Sequence, residues 1–184
     1  ASMAMLFSFF VAVTITPWND VTDAAVDAAD LVVAGPGPGD PRDLSSARIA
    51  RLRSVVDARR ASGRPLLAVC LSHQMLADTL GIELAPLASP HQGLQNTVDV
   101  FDVPASIGFY NTFTARVAPG TTTVGDAEHV TEVSADAASG DVYALRGPGY
   151  ASVQGHLESI LSRDGLETLD RLLAHALSPA VARG

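Results

Sequence analysis

The sequence predicts an α/β protein built on an open, mostly parallel, doubly wound sheet with a small antiparallel addition. Three observations carry that reading. In the first half, short apolar runs at residues 30–34 and 66–69 alternate with helix-period patterns, the signature of parallel strands joined by crossover helices. Between residues 83 and 150 the pattern changes to short β-like runs separated by Gly, Pro and Asp, which suits antiparallel strands. With 47% hydrophobic residues in 184, the chain can bury one sizeable core, and residues 1–184 read as a single domain.

Taken in order, residues 3–10 are expected to form a short helix. Residues 11–16 follow as a strand rich in β-branched side chains, stopped by Pro17. The run 3–15 is apolar apart from Ser8 and Thr14, yet it is too short for a comfortable membrane span and lacks the basic flank of a signal peptide. Residues 20–29 read as a helix or surface segment, and residues 30–34 as a buried strand. That strand runs into Gly35-Pro36-Gly37-Pro38-Gly39-Asp40-Pro41, which can continue neither helix nor strand. Residues 45–61 set Ile49, Leu52, Val55 and Val56 on one face, opposite a row of arginines, as an amphipathic helix does.

Pro65 introduces a second apolar run, too brief to be a helix. Leu71, Met75, Leu76 and Leu80 then recur at helical spacing until Gly81, a natural C-cap. Four β-like runs follow at residues 97–101, 109–114, 129–133 and 141–145, and a further short strand at 151–154. A last helix over residues 166–177 turns Leu166, Leu169, Leu172, Leu173 and Ala176 inward.

Charge narrows the function classes. The net charge is −8 and all 12 basic residues are arginine, so no basic patch could neutralise many phosphates, and nucleic acid is excluded as a general partner. One cysteine excludes an internal disulfide and fits a reducing cytoplasm.

That cysteine, Cys70, sits where a strand becomes a helix, with the small residues Ala68 and Ser72 two positions to either side. Small residues there permit a sharp turn of the nucleophile-elbow kind. A helix N-terminus offers unpaired N–H groups and the positive end of the dipole, a setting that favours a thiolate. The plain alternative is a buried thiol acting as a small hydrophobe. A cysteine nucleophile needs a base and a group to orient it, and His156 and Glu158, two apart in an extended segment, point the same way. His73 is a rival base by proximity, but three residues into the helix its side chain is expected to turn away. The 35–41 loop lacks the Gly-Lys-Ser/Thr of a phosphate loop and its prolines remove donors. Its glycine N–H groups suit a ligand carbonyl or oxyanion instead. His91 and His129 have no metal-ligand spacing, and Phe109, Tyr110 and Phe113 read as packing residues.

Gly35 to Pro41, then Cys70-Leu71-Ser72-His73-Gln74, then Gln154-Gly155-His156-Leu157-Glu158-Ser159, stand in the order and spacing of the class I glutamine amidotransferases, which the chain resembles from about Ala1 to Ala176. Within them it looks most like the domains serving chorismate-using synthases of the anthranilate synthase type. The stretches 108–113 and 141–147 are most similar to the phenazine-pathway member, a fused polypeptide that makes 2-amino-2-desoxyisochorismate.

The resemblance implies a flavodoxin-like sheet and a glutaminase that passes ammonia to a synthase, fused or separate, that uses chorismate or isochorismate. Cys70 would be nucleophile, His156 base and Glu158 its orienting carboxylate. Gly37, Pro38 and Gly39 would form the oxyanion and glutamine loop, with the N–H of Leu71. Gln74, Thr112 and Phe113 would bind L-glutamine, with Gln92-Gly93 beside it. No cofactor or metal is implied in this domain, any Mg²⁺ belonging to the synthase.

Three departures accompany the match. The family has an aromatic residue before the histidine and a proline after it, where Gly155 and Leu157 stand, and both changes are expected to loosen the segment that aims His156. The family's opening strand also aligns ahead of Ala1, so residues 3–15 either replace it or the chain is a fragment of a longer polypeptide. The alternatives are a catalytically degenerate structural or regulatory module, and an unrelated cysteine hydrolase on a similar sheet.

Overall fold

In the computed structural model the described residues are 12–178. Ten strands and four helices follow in order: α1 (Asp23–Ala28), β1 (Val32–Ala34), α2 (Ala47–Ala61), β2 (Leu66–Val69), α3 (Leu71–Thr79), β3 (Glu83–Pro86), β4 (Leu94–Asp99), β5 (Pro104–Phe109), β6 (Phe113–Arg116), β7 (Thr123–Val124), β8 (Thr131–Ala135), β9 (Val142–Gly147), β10 (Tyr150–Val153) and α4 (Gly165–Leu177). The main sheet has the order β1-β2-β10-β9-β8-β7, and β3–β6 and β4–β5 form two separate antiparallel pairs. β2 lies parallel to both β1 and β10, whereas β9, β8 and β7 continue antiparallel. The sheet is therefore parallel where it carries the predicted site, and the antiparallel addition is larger than the sequence predicts.

β2 explains the layering. All four of its residues are buried, as a central parallel strand requires. Because side chains alternate, Leu66 and Ala68 join the core beneath α2 and α3, with Ile49, Val56, Met75 and Leu76. Leu67 and Val69 join the opposite core with Val98, Ile107, Phe109, Leu157, Leu169 and Leu172, beneath α4 and the β4–β5 hairpin. Arg59 of α2 is buried and donates to the carbonyls of Pro65, Val26, Ala29 and Asp30, tying α1 and β1 to this frame. α1 starts at Thr22, whose Oγ1 accepts the N–H of Ala25 at 3.2 Å. Gly81 takes the left-handed φ of 76° just beyond α3, as a helix-stopping glycine should.

Several expectations are corrected. The helix over residues 3–10 lies outside the described residues. Residues 12–16 form no strand: Val13 and Ile15 are exposed, and no neighbouring strand pairs with this β-branched run. The run 109–114 is not one strand but the end of β5, a turn and the start of β6. Leu166, expected inward, is 64% exposed in the first turn of α4. No helix among the described residues is long and apolar enough to cross a membrane.

Candidate active site

Cys70 is the hinge between β2 and α3. It has φ 55° and ψ −105°, a region that side-chain-bearing residues rarely occupy and that costs of order 1–3 kcal/mol. The surroundings enforce it. β2 is locked between two parallel neighbours, the Cys70 N–H donates to Val153 O at 2.9 Å, and the Cys70 carbonyl already accepts the Gln74 N–H at 3.1 Å in the first turn of α3. The strain turns the side chain to the carboxyl end of the sheet while keeping it 7% exposed. Leu71, next in the chain, begins α3, so its N–H has no acceptor within the helix.

The glycine loop packs directly against this hinge. A Cβ on Gly37 would lie 3.6 Å from Leu71 Cδ2. One on Gly39, whose φ is 138°, would lie 2.9 Å from Arg48 Nη2. Glycine is thus favoured at 39 by conformation, with the tip of Arg48 lying where a side chain would stand. Ser72 Oγ donates to Gly35 O at 2.8 Å and binds the start of the loop to the helix after the cysteine. At the loop's far end, Asp40 holds Arg42 through two hydrogen bonds of 2.9 and 2.8 Å, and the Arg42 guanidinium lies 4.6 Å over the Phe113 ring. That contact ties the far end of the glycine loop to Phe113.

Gln74 and Phe113 meet through hydrogen bonds. Gln74 Nε2 donates to Phe113 O at 2.6 Å and to Gln154 Oε1 at 2.9 Å, and Gln154 Nε2 donates to Cys70 Sγ at 3.7 Å. A buried amide chain therefore runs from the nucleophile candidate to the Phe113 carbonyl. Thr112 is exposed, and its carbonyl accepts the N–H of Leu87 at 2.8 Å. Sequence reasoning gives Gln154 no role of its own, and its place two residues before His156 is the one signal that could have pointed to it.

His156 Nδ1 lies 2.9 Å from Glu158 Oε1, and both side chains are largely buried. Burial pulls the histidine's pKa down, but hydrogen bonds to Cys70 and to Glu158, with the attraction of both groups, outweigh it and hold it at about 10. Burial raises the Glu158 carboxyl, the hydrogen bond from His156 lowers it, and the net direction is down. The ring near Cys70 is accordingly an imidazolium at neutral pH, a proton donor beside the sulfur.

His73 takes no part. It is fully buried beneath α3, with Nδ1 2.8 Å from Ser152 Oγ, and burial drives its pKa down to about 4. It is a neutral structural histidine that joins α3 to β10, as its place in the helix implied. His91 sits 3.1 Å from Asn111 Oδ1 beside the Phe109 ring, and His129 is exposed near Asp126.

Space is filled at both positions expected to loosen the segment around His156. A Cβ at Gly155 would come within 2.2 Å of Ile107 Cγ2, so the hairpin already fills the place of a side chain there. Leu157 is buried in the core beneath α4. Tyr110, read from the sequence as a packing residue, stands edge-on to the His156 ring with centroids 5.2 Å apart.

The family model of class I glutamine amidotransferases matches residues 2–176. A relative named anthranilate synthase, phenazine specific, from Pseudomonas fluorescens is 42% identical over 165 residues, 90% of this chain and 25% of that protein. The chain thus spans about a quarter of the length of that relative. Anthranilate synthase component 2 of Mycobacterium tuberculosis is 32% identical over 152 residues, 81% of this chain and 62% of the relative. A glutamine amidotransferase from Thermotoga maritima shares the fold with a TM-score of 0.55 at 16% identity, covering 87% of this chain and 75% of that one. Matched along nearly its whole length by the family model, and alike in fold, the chain belongs to the class I glutamine amidotransferase family.

Proposed function

We propose that the domain hydrolyses L-glutamine with a Cys70–His156–Glu158 triad and supplies the ammonia to a chorismate-using synthase. The observation that carries the reading is the strained Cys70 elbow together with the hydrogen-bonded His156–Glu158 pair, whose imidazole proton Cys70 helps to hold. Cys70 Sγ attacks the side-chain amide carbon, and the N–H groups of Leu71 and the Gly37–Gly39 loop, with Pro38 fixing its course, stabilise the oxyanion. The His156 imidazolium protonates the amide nitrogen, the C–N bond breaks and ammonia leaves a γ-glutamyl thioester. His156, now neutral, takes a proton from water, whose oxygen attacks the thioester and releases glutamate and the cysteine sulfur. Glu158 holds the ring and its charge throughout.

Gln74, Thr112 and Phe113 bind L-glutamine, Thr112 and Phe113 at its amino-acid end. The names of the relatives, anthranilate synthase and its phenazine-specific form, favour chorismate or isochorismate as the skeleton that receives the nitrogen. This domain works with its own side chains, Mg²⁺ belongs with the synthase, and the single free thiol fits a reducing cytoplasm. The test is glutamate release with and without a phenazine-type synthase module. Wild type is expected to turn over, with stimulation by the module, and Cys70→Ala to fall to background.

A further inference from the structure

We infer that Tyr110 is a positioning residue for His156, fixing the imidazole toward Cys70 from the end of the β4–β5 hairpin rather than from β10, which stops ahead of the histidine. The inference rests on the triad reading above.

β10 ends at Val153, three residues before His156, and the intervening Gly155 has no side chain with which to brace the segment. The hairpin supplies what the strand does not. The His156 N–H donates to Gly108 O at 2.9 Å. On the other side of the same residue, Ser162 Oγ donates to His156 O at 2.6 Å and accepts the Gly108 N–H at 2.9 Å. Gly108 therefore brackets the backbone of His156 from both ends.

Those bonds fix the backbone, and Glu158 fixes one ring nitrogen. What remains is the tilt of the ring, and Tyr110 packs against it. Its ring meets the imidazole at 77° with centroids 5.2 Å apart. One contact holds the tyrosine in turn: its hydroxyl lies 3.1 Å from Ser159 Oγ, on the loop that follows Glu158. Tyr110 is nevertheless 45% exposed, more than a residue kept only for core packing needs. The contact orients the imidazole chiefly by shape.

The experiment compares wild type, Tyr110→Phe and Tyr110→Leu in steady-state glutamate release, with thermal melts and the NMR signals of His156 alongside. Misaligning a catalytic group by about 1 Å can cost 10²-fold. Tyr110→Leu should lower kcat about tenfold or more, leave KM for glutamine within about twofold, and move the His156 resonances. Tyr110→Phe keeps the edge and should retain kcat within about threefold. All assays run well below the lowest melting temperature, so a loss of kcat is not a loss of fold. Wild-type rates in Tyr110→Leu would overturn the inference. So would equal impairment of the Phe and Leu variants, or a raised KM at unchanged kcat. A wild type no faster than Cys70→Ala would instead sink the triad reading itself.

Discussion

The two walls of the cleft are built in different ways. The wall bearing Cys70 is local: one buried strand, one strained residue and one helix, 14 consecutive positions from Leu66 to Thr79, with the glycine loop packed on Leu71. The wall bearing His156 is assembled from distant parts of the chain. Its backbone is held by Gly108 and Ser162, its ring by Glu158 and Tyr110, and the place of a side chain at 155 is filled by Ile107. The elbow at Cys70 is set by a turn, which short-range sequence encodes. His156 is held by residues distant in the chain, and in the proposed reading the hairpin aims it at the cysteine.

The largest expected effect lies on the assembled wall. Glu158→Gln should lower kcat by about 10²–10⁴-fold, in the range seen when the orienting carboxylate of such a triad is neutralised. It should also bring the His156 titration, followed by NMR, down from about 10 toward the ordinary imidazole range. Because the folded His156 holds its proton more tightly than the unfolded one, its contribution to stability is full below about pH 6.5 and is lost as pH rises toward about 10. Denaturant melts across that window should show a shallower alkaline decline in Glu158→Gln.

His73 tests the local wall from beneath with the opposite sign. Its folded pKa of about 4 lies below the unfolded value of about 6.5, so the unfolded chain takes up a proton first as pH falls. Its share of stability is present above pH 6.5 and should have dropped by about 2 kcal/mol at pH 5. His73→Gln should flatten the acid limb relative to wild type, whatever its stability at pH 7.5, and an unchanged limb would refute the assignment.

Smaller effects separate space from strain. Gly155→Ala forces a Cβ onto Ile107 and should cost about 1–3 kcal/mol in denaturant melts, with part recovered in the Gly155→Ala/Ile107→Ala pair. A fully additive pair would show that the two positions do not compete for the same space. At the elbow, Cys70→Gly should be more stable than Cys70→Ala by about 1 kcal/mol, because glycine relieves the positive φ that alanine keeps.

This division also explains what was legible in the sequence. β2, α3 and the Gly81 stop were legible because an apolar run, a helical repeat and a terminating glycine lie side by side. Order and spacing singled out Cys70, His156 and Glu158, and the structure gives Cys70 a positive φ and pairs His156 with Glu158. Tyr110 and Gln154 were not, because their roles arise from pairing across 46 and 84 positions, with His156 and Cys70 respectively. Gly155 looked like a loss of restraint until Ile107 was seen in the vacated space. The β-branched run 12–16 misled in the other direction, since strand propensity means little without a neighbour to pair with.

The central claim, that this cleft hydrolyses glutamine through a thioester on Cys70, is tested most directly by rapid acid quench of the domain with glutamine and a synthase module, followed by peptide mass spectrometry. The account predicts a glutamyl adduct on the Cys70 peptide in wild type, accumulating further when Glu158→Gln slows its hydrolysis, and none in Cys70→Ala. Glutamate released at the same rate by wild type and Cys70→Ala, with no adduct in either, would contradict it.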